Sequence, residues 1–186
     1  INHVFGEHIK AIEETHEIAF QKIKEAADLI AKSLKSGGTI FWCGNGGSAA
    51  DSQHIAAEFV GRFKKDRKPL RSIALTTDTS VLTCIANDYS FKEIFSRQVD
   101  ALGRKGDVLV AISTSGKSEN IKQALIHAKK KGIKSIGLLG NNGGVCKKNT
   151  DISIIVPSNI TARIQEAHIL IEHLLCELVE CKLDLN

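Results

Sequence analysis

The chain has 186 residues, 42% hydrophobic and 25% charged, with 15 Gly, 2 Pro and 5% aromatic residues. That length fits one domain, and the apolar share is too high for a disordered chain. A net charge of +4, from 25 basic and 21 acidic residues that are mostly interspersed, suits a small phosphorylated ligand better than a polyanion.

The first ~36 residues read as one long amphipathic helix. Ile9, Ile12, His16, Ala19, Phe20, Ile23, Ala26, Ala27, Ile30 and Leu34 recur at steps of three and four, and Gly37-Gly38 stop it. A helix of this length is expected to build an oligomer interface. Alternation of strand and helix follows. A strand at 39–43 leads into a Gly-rich loop and a helix at 48–63. A second strand at 72–75 precedes helical segments at 80–86 and 91–102. A third strand at 107–112 runs into a Ser-rich loop and a helix at 118–131. A strand at 134–139, a Gly-Asn-Asn-Gly-Gly turn, a strand at 152–156 and a helix at 161–182 complete the series. Strands apolar throughout that alternate with helices predict a doubly wound α/β domain with a mostly parallel five-stranded sheet and helices on both faces. The whole chain reads as a single domain, an oligomerisation helix at 1–36 before an α/β core at 37–186.

No apolar run approaches the ~20 residues of a bilayer span, and no signal-peptide pattern opens the chain. The odd number of cysteines and the lack of any CxxC pair argue against a disulfide framework, so a cytoplasmic location is expected. Because the sequence opens on Ile1 rather than Met, a few residues are expected to have preceded it. The basic stretch from Arg62 to Arg71 reads as a solvated loop or as a surface for an anion. With only one aromatic, Phe63, among its basic residues, it gives nucleic-acid stacking little support, and neither nucleic acid nor membrane is an expected partner.

Ligands of such sheets bind beyond the carboxyl ends of the strands. Gly44-Asn45-Gly46-Gly47-Ser48 joins a strand to a helix there, so its backbone can approach an anion. The loop also matches G-x-G-x-x-A, but Asp78 lies too far on to serve as the acidic residue of a dinucleotide site. Ser113-Thr114-Ser115-Gly116-Lys117-Ser118 offers four hydroxyls to one phosphate, with Ser118 placed to cap the next helix. It is not a Walker loop, which leaves nucleotide hydrolysis unsupported. His54 and Glu58, four apart, share a helix face on which Arg62 continues. Such a pair can bind a divalent metal or move protons. Gln165, His168 and His173 stand out on the last helix, whereas His3, His8, His16 and His127 read as structural.

Several of these segments together resemble the SIS (sugar isomerase) domain family over nearly the whole chain beyond the first helix. They are the run Cys43 to Asp51, Gln53-His54, Ala57-Glu58, Gly61-Arg62, Ala74-Leu75-Thr76-Thr77-Asp78, Asn87-Asp88, Phe95-Ser96-Arg97-Gln98, Ile112 to Gly116 and Thr161 to Glu166. The resemblance is strongest to members acting on sedoheptulose 7-phosphate. It implies an aldose–ketose isomerase that makes D-glycero-D-manno-heptose 7-phosphate through an enediol. It further implies one zinc per subunit held by His54, Glu58, Gln165 and His173, with Glu58 and His173 as the acid/base pair. The phosphate would sit on Ser113, Thr114, Ser115 and Ser118. Asn45, Gly46, Gly47, Ser48, Arg62, Asn87, Asp88, Thr161 and Gln165 would lie near the sugar.

Family membership also implies a homotetramer. Gln165 and His173 are eight residues apart, about 12 Å of rise and about 80° of rotation on one helix. One of them is therefore expected to reach the metal from a neighbouring subunit, giving a site shared between copies. The alternatives are a non-catalytic adaptor that binds the replication initiator and a sugar-phosphate sensor. Glu58 and His173 speak against the adaptor, and the chain has no helix-turn-helix segment to serve a sensor of that kind.

Overall fold

The computed structural model describes residues 1–183. Five parallel strands form one sheet in the order β2-β1-β3-β4-β5. They are β1 (Ile40–Cys43), β2 (Ser72–Ala74), β3 (Val108–Ser113), β4 (Lys134–Gly140) and β5 (Ile152–Val156). β1 and β3 are buried at every position, as strands covered on both faces must be. β2 is short and forms one edge, and its Ile73 is 42% exposed.

Two apolar layers sandwich the sheet. On one face lie α1 (Asn2–Lys35), α2 (Gly47–Val60) and α7 (Thr161–Lys182), closing over Ile30, Trp42, Phe59, Val110, Ile164 and Leu175. On the other lie α3 (Thr79–Asp88), α4 (Ser96–Leu102) and α5 (Glu119–Lys130), over Phe41, Phe95, Leu109 and Leu125. α1, about 50 Å long at 1.5 Å per residue, packs on α7 and β5 and ends where Gly37 takes a positive φ of 77°. Its apolar stripe is only partly covered, because Ile9 and Phe20 are each 53% exposed. No helix among the described residues is long and apolar enough to cross a membrane. All five cysteines are free, and burial pushes the Cys146 thiol up to about 11.

Three elements differ from the sequence reading. The segment 91–102 is not one helix but a 3₁₀ turn (Phe91–Glu93) and then α4, because Ile94 and Phe95 turn inward between them. A short helix, α6 (Gly144–Lys147), occupies the connection after β4. α2 ends at Val60 rather than at 63, so Arg62 does not continue the His54/Glu58 face. The cause is Arg67, which folds back to donate to the carbonyls of Glu58 (2.8 Å) and Phe59 (2.9 Å), two of the carbonyls a helix end leaves unpaired.

Candidate active site

The chain leaves β1 toward β2 on one side and returns to β3 on the other, so the loops after β1 and β3 border the crevice where such sheets bind ligands. Gly44–Ser48 and Ser113–Ser118 are those two loops. Glycine is required in the first of them. Gly46 has φ 56° and ψ −120°, and a Cβ on Gly44 would run into the backbone of Ser48. Two reciprocal hydrogen bonds between the side-chain amides of Asn45 and Asn120, 3.0 and 2.8 Å, join the loops across the crevice. Asn120 is a buried contributor that sequence reasoning missed, and only its place in the first turn of α5 hinted at it.

In the Ser-rich loop, Ser113 Oγ lies 3.2 Å from Ser118 Oγ and also accepts from the Gly116 N–H. Ser115 Oγ accepts from the Lys117 N–H. Ser118 occupies the N-cap position of α5, yet its hydroxyl makes no cap bond because it faces Ser113 instead. Gly116 abuts Gly143, and Gly140 abuts the carbonyl of Thr114, so the loop is braced from behind by the turn after β4.

α2 and α7 lie side by side, running in the same direction and in register. At the start, a Cβ on Gly47 would collide with the side-chain amide of Gln165. Further along, His54 Nε2 and His173 Nε2 are 2.9 Å apart, and His54 Nε2 is 3.8 Å from Glu58 Oε1. At the far end, Glu180 accepts from the N–H groups of Phe63, Lys64 and Lys65 and from Arg67 Nε. The fold thus gathers His54, Glu58 and His173, while Gln165 of the same chain sits two turns earlier. Thr161 opens α7, exposed. Arg62 is exposed just beyond α2, and Asn87 and Asp88, bonded to each other at 2.8 Å, end α3 in solvent.

No group of three or more His, Cys, Asp or Glu among the described residues already stands as a metal centre. The donor chemistry of His54, Glu58 and His173 nevertheless fits zinc. Ligand atoms around a tetrahedral zinc lie about 3.3 Å apart, from Zn–N distances of about 2.05 Å. The separations of 2.9 Å from His54 to His173 and 3.8 Å from His54 to Glu58 bracket that value.

Near this trio lie two carboxyl groups, Asp51 and Glu172, to which the sequence reading gave no role. Glu172 is fully buried, and neither of its oxygens has a hydrogen-bond partner. Burial, and then the nearby charge of Asp51, push its carboxyl well above the usual range. Burial also raises Asp51, against the pull of His54. His168 is likewise buried, and burial lowers its imidazole to about 4. It faces the core, away from any ionised role. The basic stretch is mostly a folded loop: Arg67 and Glu180 form an ion pair at 2.8 Å with both side chains 3% exposed, and Lys64 pairs with Glu177.

An SIS domain family model matches residues 4–140. A phosphoheptose isomerase of a Nitratiruptor species is 55% identical over 174 residues, 94% of this chain and 93% of that protein. The phosphoheptose isomerase of Clostridium acetobutylicum is 56% identical over 88% of this chain and 83% of its own length. Among solved structures, the phosphoheptose isomerase from Neisseria gonorrhoeae superposes with a TM-score of 0.92 at 45% identity, covering 97% of this chain and 96% of that one. The phosphoheptose isomerase from Francisella tularensis gives a TM-score of 0.94 at 40% identity, with the same coverage.

Proposed function

The chain belongs to the SIS domain family and, within it, to the phosphoheptose isomerases, and from that premise we propose that it converts sedoheptulose 7-phosphate into D-glycero-D-manno-heptose 7-phosphate. The observation that best supports this reading is the meeting of His54 and His173, 119 residues apart in sequence, beside Glu58.

The isomerisation moves one proton from C1 to C2 of the sugar and another from O1 to O2. Glu58 takes the proton from C1 and returns it to C2 of the enediol. His173 donates a proton to O2 and recovers one from O1, so both groups end as they began. Positioned acid–base groups of this kind contribute about 10²–10⁴ in rate. The hydroxyls of Ser113, Thr114, Ser115 and Ser118 hold the phosphate at the N-terminus of α5. Binding far from the reacting carbons fixes C1 and C2 against the acid/base pair. The loop Asn45-Gly46-Gly47-Ser48, with Arg62 and Thr161, surrounds the sugar hydroxyls.

Zinc fits here as one ion per subunit, held by His54, Glu58 and His173 with Gln165 as fourth ligand, and when bound it would polarise the substrate oxygens as a Lewis acid. Gln165 and the pair Asn87 and Asp88 stand apart from the trio in one chain. Supplied by a neighbouring copy, they would complete a site shared within a homotetramer.

Glu58→Gln tests the reading. Turnover of sedoheptulose 7-phosphate should fall about 10²–10⁴-fold with the fold intact by circular dichroism. An adaptor or sensor would not convert the sugar in the first place. The same assay after treatment with a chelator should lose activity and regain it when zinc is restored. Correctly folded protein that fails to convert the substrate with zinc present would refute the reading.

A further inference from the structure

Phe63 has no part in the chemistry above, yet its ring lies flat against His173, with centroids 5.4 Å apart and planes 14° from parallel. On its remaining flank His173 meets His54 edge-on, with centroids 5.1 Å apart and planes at 80°. The imidazole is therefore confined between a parallel aromatic face and a perpendicular one, an arrangement that leaves its ring plane little freedom. Phe63 is itself immobilised. Its backbone N–H donates to buried Glu180 at 3.2 Å, and Arg67 ties the same carboxylate to the last carbonyls of α2. Phe63 is half-buried at the edge of the core while its neighbours Arg62, Lys64 and Lys65 are exposed, so the clamp fixes where the ring stands against that core.

We infer that Phe63 is a positioning residue for His173: the clamped ring sets the imidazole plane, and with it the direction of Nε2, and it covers one imidazole face. This rests on the isomerase reading for its consequence in turnover, but the stack itself can be read without substrate. A leucine at 63 would keep apolar volume and lose the flat face, whereas a tyrosine would keep the face.

Kinetics on Phe63→Leu and Phe63→Tyr, together with the imidazole proton resonances of His173 assigned through His173→Gln, test it. In the unaltered protein the His173 resonances should be displaced upfield by the Phe63 ring. In Phe63→Leu they should move downfield, with kcat down about tenfold and KM within about twofold, because positioning acts on the transition state more than on binding. Phe63→Tyr should restore both readouts. Unshifted His173 resonances in the unaltered protein would overturn the inference even if the leucine variant does not fold. So would a leucine variant with unaltered kcat, or a tyrosine variant no better than leucine. Should the unaltered protein show no isomerisation at all, the functional reading falls, while the resonances still decide whether Phe63 orients His173.

Discussion

Gly44 and Gly47 occupy one loop, yet a side chain at each would act differently. At Gly44 a Cβ would meet the backbone of Ser48, which has nowhere to go. At Gly47 it would meet the flexible end of Gln165, which can swing aside. Gly44→Ala is therefore expected to cost about 1–3 kcal/mol in denaturant unfolding, the usual penalty for overpacking. Gly47→Ala should leave the melting temperature nearly unchanged while lowering kcat/KM about tenfold or more, equivalent to about 1.4 kcal/mol of transition-state stabilisation. At this scale the sequence spoke unevenly. His54 and Glu58 were visible as a helical pair, because i and i+4 positions share a face. The role of Phe63 was invisible, since the residues that define it, His173 and Glu180, lie more than a hundred positions away.

Among the elements, α2 shows where local pattern stops. Nothing in Gly61-Arg62-Phe63 breaks a helix as firmly as proline would, and periodicity alone extends it to 63. The actual end is imposed by Arg67 and Glu180, a contact between a loop and the last helix. The same cause hid the nature of the basic stretch, because a run of Lys and Arg does not reveal which one turns inward. Removing Glu180 would strand Arg67 in a buried place, and Glu180→Ala is expected to cost about 3–5 kcal/mol, as for other broken buried pairs.

The clamp also carries a pH signature. Burial alone would raise the Glu180 carboxyl, but Arg67 and the N–H groups of Lys64, Phe63 and Lys65 outweigh it and hold the group below its ordinary value. With a depressed folded value, the contribution is complete above the unfolded glutamate pKa of about 4.3 and is lost as pH falls through the folded one. Unfolding of the unaltered protein followed below pH 5 should therefore show an acid-side loss of stability that is smaller in Glu180→Gln. The strands and the long helices, by contrast, were legible throughout, since their apolar periods match the burial found.

At the level of the whole molecule, α1 and α7 leave an apolar groove of about 520 Å³ between them, lined by Ile12, His16, Ile171 and Leu174 among others. Leu170 on its rim is 49% exposed. An uncovered apolar groove of this kind is where another copy would be received, consistent with the proposed tetramer. Leu170→Glu should give a smaller species by sedimentation and a matching loss of turnover. Sharing of the site between copies has a sharper test. Glu58→Gln and Gln165→Ala, each nearly inactive alone, should recover turnover when mixed oligomers form if the two residues serve from different subunits. Mixed oligomers without recovery would place both residues in one chain. This level was the least legible, because a stripe on a helix does not say whether its own domain or a twin will cover it.

The registry of α2 with α7 behaves as a pair of rulers laid edge to edge. The marks at 47, 54 and 63 meet those at 165, 173 and 180, so a slip of one rod by a single residue, about 1.5 Å, would misalign all three at once. Insertions in the exposed turn at 104–105 should then be borne far better than one residue added between 165 and 173, whatever that residue is.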